Sequence, residues 1–354
     1  MGIPAPTEKM QACYDEWVAA GRPLLAHFAR DTGRPLTTVD RWIKSHMAKS
    51  GEKLIKSRAA ASGFETKPAP PEMVDVHELL SERRRKFGVK DEFKRSRHLI
   101  DVRVKLDGPI GIAHFGDPHL DDDGTDIALV EEHIRIIKRS PGLFAANVGD
   151  TTNNWVGRLE RLYGQQSTSA AEAWALAEWF IRELDWLIFL DGNHGAWSGA
   201  GDPVKWILRG NPGIHGGMSA RVNLIFPDRR AVRINARHDF KGTSQWNTAH
   251  GPAKAAQMGW RDHVLTCGHL HTSGYNIVKC PATGLLSHAI RVASYKTHDR
   301  YADELGLPNQ NISPNVVTII NPQYADDDPR LITVLHDIEH GADYLKFLRS
   351  RKTK

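Results

Sequence analysis

Ile110-Gly111-Ile112-Ala113-His114-Phe115-Gly116-Asp117-Pro118-His119 decides the fold of this chain. Residues 110–114 are a short apolar run of the length expected for a buried strand. The run gives way at Gly116, and Asp117 and His119 follow within one turn. An Asp-x-His after a strand is, alone, an ordinary turn. The same grammar recurs four times. Residues 143–148 lead into Gly149-Asp150, and residues 186–190 lead into Gly192-Asn193-His194. Residues 231–236 lead into His238, and residues 263–266 lead into Gly268-His269-Leu270-His271. Each cluster has a bland reading as a loop, but an ordered set of five is more than turns produce by chance.

Working outward, residues 100–106 and 222–226 read as further strands, and residues 125–138, 170–184, 203–208 and 253–258 as helices. Short apolar runs alternating with helical stretches predict an α/β fold with helices covering sheets. Residues 278–320 and 331–334 look more purely β, and residues 340–354 read as a short helix with a basic tail. In open α/β sheets ligands bind outside the carboxyl ends of strands, so the five clusters are predicted to converge.

The order Asp-x-His, Gly-Asp, Gly-Asn-His, a single His and Gly-His-x-His resembles the calcineurin-like metallophosphoesterase superfamily, over residues 98–320. The resemblance implies two mixed β-sheets sandwiched by helices in four αββα layers, with two divalent metal ions at one edge. It implies that Asp117, His119, Asp150 and His271 hold one metal. Asp150 would bridge, and Asn193, His238 and His269 would complete the second site. His194 would be the non-ligand histidine beside the phosphate and, with Asp150, a catalytic residue. Pro118 between Asp117 and His119 and Ala236-Arg237 before His238 depart from the usual pattern without removing a ligand.

Chemistry supports the same reading. A phosphate ester repels an attacking hydroxide, and two cations roughly 3.5–4 Å apart, which one carboxylate can bridge, offset that charge. Metal-bound water becomes hydroxide near neutral pH. Imidazole and carboxylate donors suit Mn, Fe, Zn, Ni or Co, Mn²⁺ first, rather than Mg or Ca. His194 would protonate the leaving alkoxide or stabilise the phosphorane-like charge, with structural support of the Asn193 loop as the alternative, and Asp191 either orients it or serves a turn. The run Asp121, Asp122, Asp123 and Asp126 reads as capping for the following helix, with support of His119 as the alternative. Asn153, Asn154, Trp155 and Lys241 are the candidate substrate-binding residues; Trp197, Trp246 and the stretch from Ser294 to Tyr301 are further polar-aromatic candidates. Each of these aromatics has core packing as its plainer role.

The front end has another texture. Residues 1–105 hold 21 Lys and Arg against 14 Asp and Glu, a net +7, whereas the rest holds 26 against 28, a net −2. A basic front end suggests a polyanionic partner, with a solvated basic surface as the alternative. Residues 10–49 look helical, with breaks at Gly21-Arg22-Pro23 and around Gly33. Ala29, Gly33, Val39 and Trp42 fall where helix-turn-helix modules place a small residue, a turn glycine and core contacts, so residues 1–50 resemble such a domain. Arg34-Pro35 departs from that pattern, and Leu36 is the apolar residue available to substitute. Arg41, Lys44, His46 and Lys49 would then face DNA, with a structural or protein-binding bundle as the alternative. Residues 51–97 are expected to be a linker followed by a basic amphipathic helix at 72–87, with Met73, Val76, Leu79 and Leu80 on one side. Residues 98–354 would be the metallophosphoesterase domain.

The three cysteines, Cys13, Cys267 and Cys280, give no disulfide framework, and no apolar run approaches the roughly 20 residues of a membrane span. The first thirty residues show no signal peptide, so the expected compartment is cytoplasmic, with a phage-encoded protein as one source. The leading functional reading is a metal-dependent phosphodiesterase or nuclease acting on DNA or another nucleic acid, of a phage or prophage type. A phosphomonoesterase acting on phosphoprotein or nucleotide is the alternative. A non-catalytic DNA-binding regulator would be favoured by a missing ligand, and none is missing.

Overall fold

The structure is a computed structural model that describes residues 8–50, 75–155, 160–164, 166–196, 203–298, 303, 304, 306 and 309–351. The chain divides into two compact units, Met1–Arg85 and Lys86–Lys354. The linker expected at 51–71, and the candidates Trp197 and Tyr301, lie outside the described residues.

The larger unit contains two six-stranded mixed sheets. The first joins β1 (Ile100–Arg103), β6 (Ser219–Ile225), β7 (Ala231–Arg237), β8 (Val264–Cys267), β10 (Leu286–Arg291) and β9 (Gly274–Lys279), in that spatial order. The second joins β12 (Ile332–Leu335), β11 (Asn315–Ile320), β2 (Ile110–Phe115), β3 (Leu143–Asn147), β4 (Trp186–Leu190) and β5 (Ile214–Gly216). β2, β3, β4 and β5 run parallel, as do β7, β8 and β10.

β2 is buried along its whole length, which is why it reads as an unbroken apolar run. Its Ile110 and Ile112 join Val222, Ile234 and Val264 between the sheets. Ala113 and Phe115 point the other way, under the helices Ile127–Lys138, Ala170–Glu183 and Ile338–Ser350. Phe240, Ala256, Leu265 and Cys267 pack beneath the helix His250–Ala255 and the wider turn that continues it. The result is the helix–sheet–sheet–helix layering that the sequence predicts.

Helix ends follow capping chemistry. Asp126 caps Ile127–Lys138 by accepting from the Leu129 N–H, and Ser169 and Glu172 form a reciprocal capping box at Ala170. The helix expected at 72–87 instead runs Val76–Ser96, so Arg83–Lys86 lies in its middle, and none of its residues is buried. No helix among the described residues is long and apolar enough to cross a membrane.

The smaller unit has helices Glu8–Ala19, Leu25–Asp31 and Leu36–Ser50, broken at the two predicted places. Cys13, Trp17, Phe28, Ala29, Val39, Ile43 and Met47 form its core. Gly33 takes φ 63°, the left-handed turn that favours glycine. Leu36 is exposed and so does not serve as the core contact expected of it. Trp42, half-buried, packs against this core, whose interior Ile43 and Met47 fill.

Candidate metal centre

The seven predicted donor residues sit just past the carboxyl ends of β2, β3 and β4 in one sheet and of β7 and β8 in the other. Ligand atoms of Asp117, His119 and His271 lie within 4.8 Å of one another, as do those of Asp150, His238 and His269. His119 Nε2 is 3.0 Å from His271 Nε2, which is 3.7 Å from Asp117 Oδ2. His238 Nε2 lies 3.1 Å from Asp150 Oδ2, 2.6 Å from Asn193 Oδ1 and 3.1 Å from His269 Nδ1. Asp150 also groups with His119 and His194, so it stands between the two sets. The distances therefore admit His194 as a donor as well, beyond the non-ligand role the resemblance implies.

The backbone at this edge is strained. Eight described non-glycine residues have positive φ away from the extended region, and six of them are His119, Asp150, Asn154, Trp155, His269 and His271. Such conformations cost on the order of 1–3 kcal/mol each and persist where the surroundings over-determine them. Two glycines permit the crowding. A Cβ on Gly192 (φ 81°) would lie 2.1 Å from Asp150 Oδ1, and one on Gly268 would lie 2.5 Å from Asp117 Oδ1.

Burial pushes the Asp117 carboxyl up to about 6, helped by Asp150 and opposed by His238 and His271. Burial also acts against the charge on Asp150, but His238 and His194 hold its proton affinity below the usual carboxylate value. Burial disfavours a charged His238 too; Asp150 and Asp117 outweigh it and push the imidazole up to about 9. His119, His194 and His269 are lowered, first by burial. Asp117 Oδ1 and His119 Nδ1 are buried with no hydrogen-bond partner among the described residues, and Oδ1 faces His238 Nδ1 at 3.6 Å. A buried carboxylate oxygen without a donor, beside clustered imidazoles, fits a divalent cation, which uses such lone pairs directly.

Orientation comes from a surrounding set of bonds. His238 Nδ1 donates to the Val148 carbonyl at 3.1 Å, which turns Nε2 toward Asp150. His194 Nδ1 donates to the Asn153 carbonyl at 2.8 Å, with Nε2 3.5 Å from Asp150 Oδ2. Asp191 pairs with His215 of β5. The acidic run does more than cap: Asp121 accepts from the N–H groups of Asn153 and Asn154, and Asp122 accepts from the Asn153 amide at 2.8 Å and pairs with buried Lys296 at 2.9 Å. Ser294 Oγ donates to the Asp117 carbonyl.

The other predicted residues divide. Asn153 is buried with its amide committed to Asp122, and the Asn154 amide donates to the His194 carbonyl, so both hold the loop rather than project from it. Trp155 is half-buried beside Tyr163, 6.0 Å between rings. Lys241 is exposed and lines a cavity beside His238. In the smaller unit Arg41, Lys44 and Lys49 are exposed, with Lys44 paired to Asp40 at 2.8 Å, while His46 stacks on Tyr14. Arg291 was not predicted. Wholly buried, it donates to the carbonyls of Thr248 and Gly268 and to Asp239.

No family model matches the chain, and no curated protein matches it. Among solved structures it is similar to a conserved uncharacterised protein, a predicted phosphoesterase, from Streptococcus pneumoniae TIGR4. That match is 11% identical, with TM-score 0.28, and covers 65% of this chain and 98% of the other. It is also similar to the NAD nucleotidase of Haemophilus influenzae, at 12% identity and TM-score 0.31, covering 64% of this chain and 49% of that one.

Proposed function

We propose that this chain is a dinuclear-metal-dependent phosphoesterase that cleaves phosphodiester bonds in nucleic acid, with DNA favoured. The observation that carries the proposal is the pair of donor groups, Asp117–His119–His271 and Asp150–His238–His269, meeting at Asp150 on the carboxyl edge of both sheets. Asp117, His119 and His271 would hold one ion, Asn193, His238 and His269 the other, and Asp150 both. When bound, two divalent cations offset the charge of a phosphate ester and lower the pKa of water.

The chain's own groups do the rest. With Nδ1–H fixed on the Asn153 carbonyl, His194 presents Nε2 as the atom that carries a proton to the departing alkoxide. Burial weakens its hold on that proton, which suits a group that must release one. The strained loops hold the donors in place before substrate arrives, so little reorganisation accompanies the reaction. A nucleic-acid substrate is supported by the basic front end and by exposed Arg41 and Lys49 on the helix Leu36–Ser50. Trp246, 94% exposed on the loop after His238, is available for base stacking.

The test is hydrolysis of bis-p-nitrophenyl phosphate and of p-nitrophenyl phosphate by protein reconstituted with Mn²⁺, Fe²⁺, Zn²⁺, Ni²⁺ or Co²⁺. Turnover that favours the diester supports the reading, and faster turnover of the mono-ester replaces the diesterase with a phosphomonoesterase. Inertness toward both with every metal defeats it.

A further inference from the structure

Beside the metal centre, on the outer face of the sheet containing β7, lies a cavity of about 590 Å³ walled by Arg237, Asp239, Phe240, Lys241, Lys254 and Trp260, among others. Two of these residues flank the donor His238 in sequence. Asp239 is tied to the same buried Arg291 that donates to the Gly268 carbonyl next to His269, so one side chain braces both the cavity wall and the metal loop.

The charges in this cavity do not balance. Asp239 is its one carboxylate, and it is already met by Arg291 at 3.3 Å. The Arg237 guanidinium, half-buried, lies 4.7 Å from the Trp260 ring centroid and 5.5 Å from that of Phe240, and its Nε donates to the neutral Asn235. The nearby carboxylate of Asp262 is taken at 2.8 Å by both Arg221 nitrogens and at 3.2 Å by Arg233. Lys241 and Lys254 line the cavity without an ion pair among the described residues. Arg237 is half-buried, and the exposed Lys241 and Lys254 add two ammonium groups that no carboxylate among the described residues pairs, so an anionic ligand in the cavity would meet all three. The wall is also built by an irregular backbone. Past His250–Ala255 the chain kinks at Gly259 (φ 155°), which sets Met258, Gly259 and Trp260 around the opening.

We infer that this cavity is a subsite for a second phosphate of the substrate, bound by Arg237, Lys241 and Lys254 while the scissile phosphate lies at the metal centre. The inference rests on the phosphoesterase reading and narrows it: the preferred substrate carries at least two phosphates. A guanidinium near two aromatic rings and two exposed ammonium groups match a phosphate, not a neutral or cationic ligand. The second phosphate comes either from the next nucleotide of a chain or from a pyrophosphate.

The experiment compares kcat/KM for three esters: the p-nitrophenyl ester of thymidine 5′-phosphate, the same ester extended by one nucleotide, and the same nucleoside extended through a pyrophosphate. Full-length wild type is expected to prefer one of the extended esters by roughly tenfold, the size of one charge-assisted contact. Which one it prefers identifies the source of the phosphate. In Lys241→Ala/Lys254→Ala the preference should collapse toward one, and in Lys254→Arg it should survive. In parallel, calorimetry on chelator-treated protein with a 5′-phosphorylated dinucleotide should show binding that the double variant loses. Equal kcat/KM for all three esters in wild type, or an undiminished preference in the double variant, overturns the subsite. Inertness of wild type toward every ester with every metal overturns the phosphoesterase reading instead, and calorimetry then decides the subsite alone: retained binding in the double variant, or none in wild type, sinks it.

Discussion

Asp150 stands between both donor groups, at φ 46°, with Gly192 pressed against its carboxylate. Replacing the partners of metal ligands typically costs 10–100-fold in affinity or activity, so removing the shared ligand should cost more. Asp150→Asn is therefore predicted to lower diester turnover by at least ~100-fold while its circular dichroism matches wild type; near-normal turnover would remove Asp150 from the mechanism. Gly192→Ala places a Cβ 2.1 Å from Asp150 Oδ1 at a left-handed backbone position. It should lose about 1–3 kcal/mol of stability in urea titration, together with metal affinity. At this scale the convergence of the candidate donors was legible because each follows an apolar run at the carboxyl end of a strand. Arg291 was not. It sits inside the apolar run Ile290-Arg291-Val292, and its partners lie 23 to 52 residues away, where only the fold brings them near. Asn153 gave no sign that its amide turns inward to Asp122, because a side chain's direction in a loop is set by distant neighbours.

Strands and helices carry their own tests. His114 on β2 and His288 on β10 are buried, and burial lowers their pKa values from 6.5 to about 3 and about 4. The unfolded chain binds these protons more readily, so their contribution is fully present above about pH 6.5 and is lost as pH falls through the folded values. The urea midpoint should decline steadily from pH 6.5 to pH 4 in wild type, and His288→Gln should flatten part of that decline. A midpoint independent of pH over that window would contradict the burial of both imidazoles in neutral form. On the outer face of the sheet with β7, wholly buried Asp262 holds Arg221, Arg233 and Asn235. Asp262→Ala strands two guanidinium groups and should cost about 3 kcal/mol in the same titration. Sequence placed most elements within a few residues because their periodicity is local. It missed β5, three residues long, which exists through its pairing with β4. It stopped the helix Val76–Ser96 early, because a basic cluster usually closes a helix and here the cluster lies mid-way.

For the molecule as a whole, two units are joined in one chain whose first 105 residues carry a net +7, and a front end that binds nucleic acid would raise its local concentration at a metal centre. If Arg41, Lys44 and Lys49 contact phosphates, the triple alanine variant of the full chain should bind duplex DNA with a shallower salt dependence, by roughly 0.9 in slope per lost contact. An unchanged slope would leave that unit a structural or protein-binding bundle. The layered architecture was legible because alternating apolar runs and helices constrain topology strongly, whereas a three-helix unit has the same sequence pattern whether it binds DNA or protein. The most direct test of the central claim is anomalous diffraction from crystals of the full chain soaked in MnCl₂. The account predicts two manganese peaks roughly 3.5–4 Å apart, with Asp150 bonded to both, Asp117, His119 and His271 around one, and Asn193, His238 and His269 around the other. A single peak, or peaks that Asp150 does not touch, would contradict it.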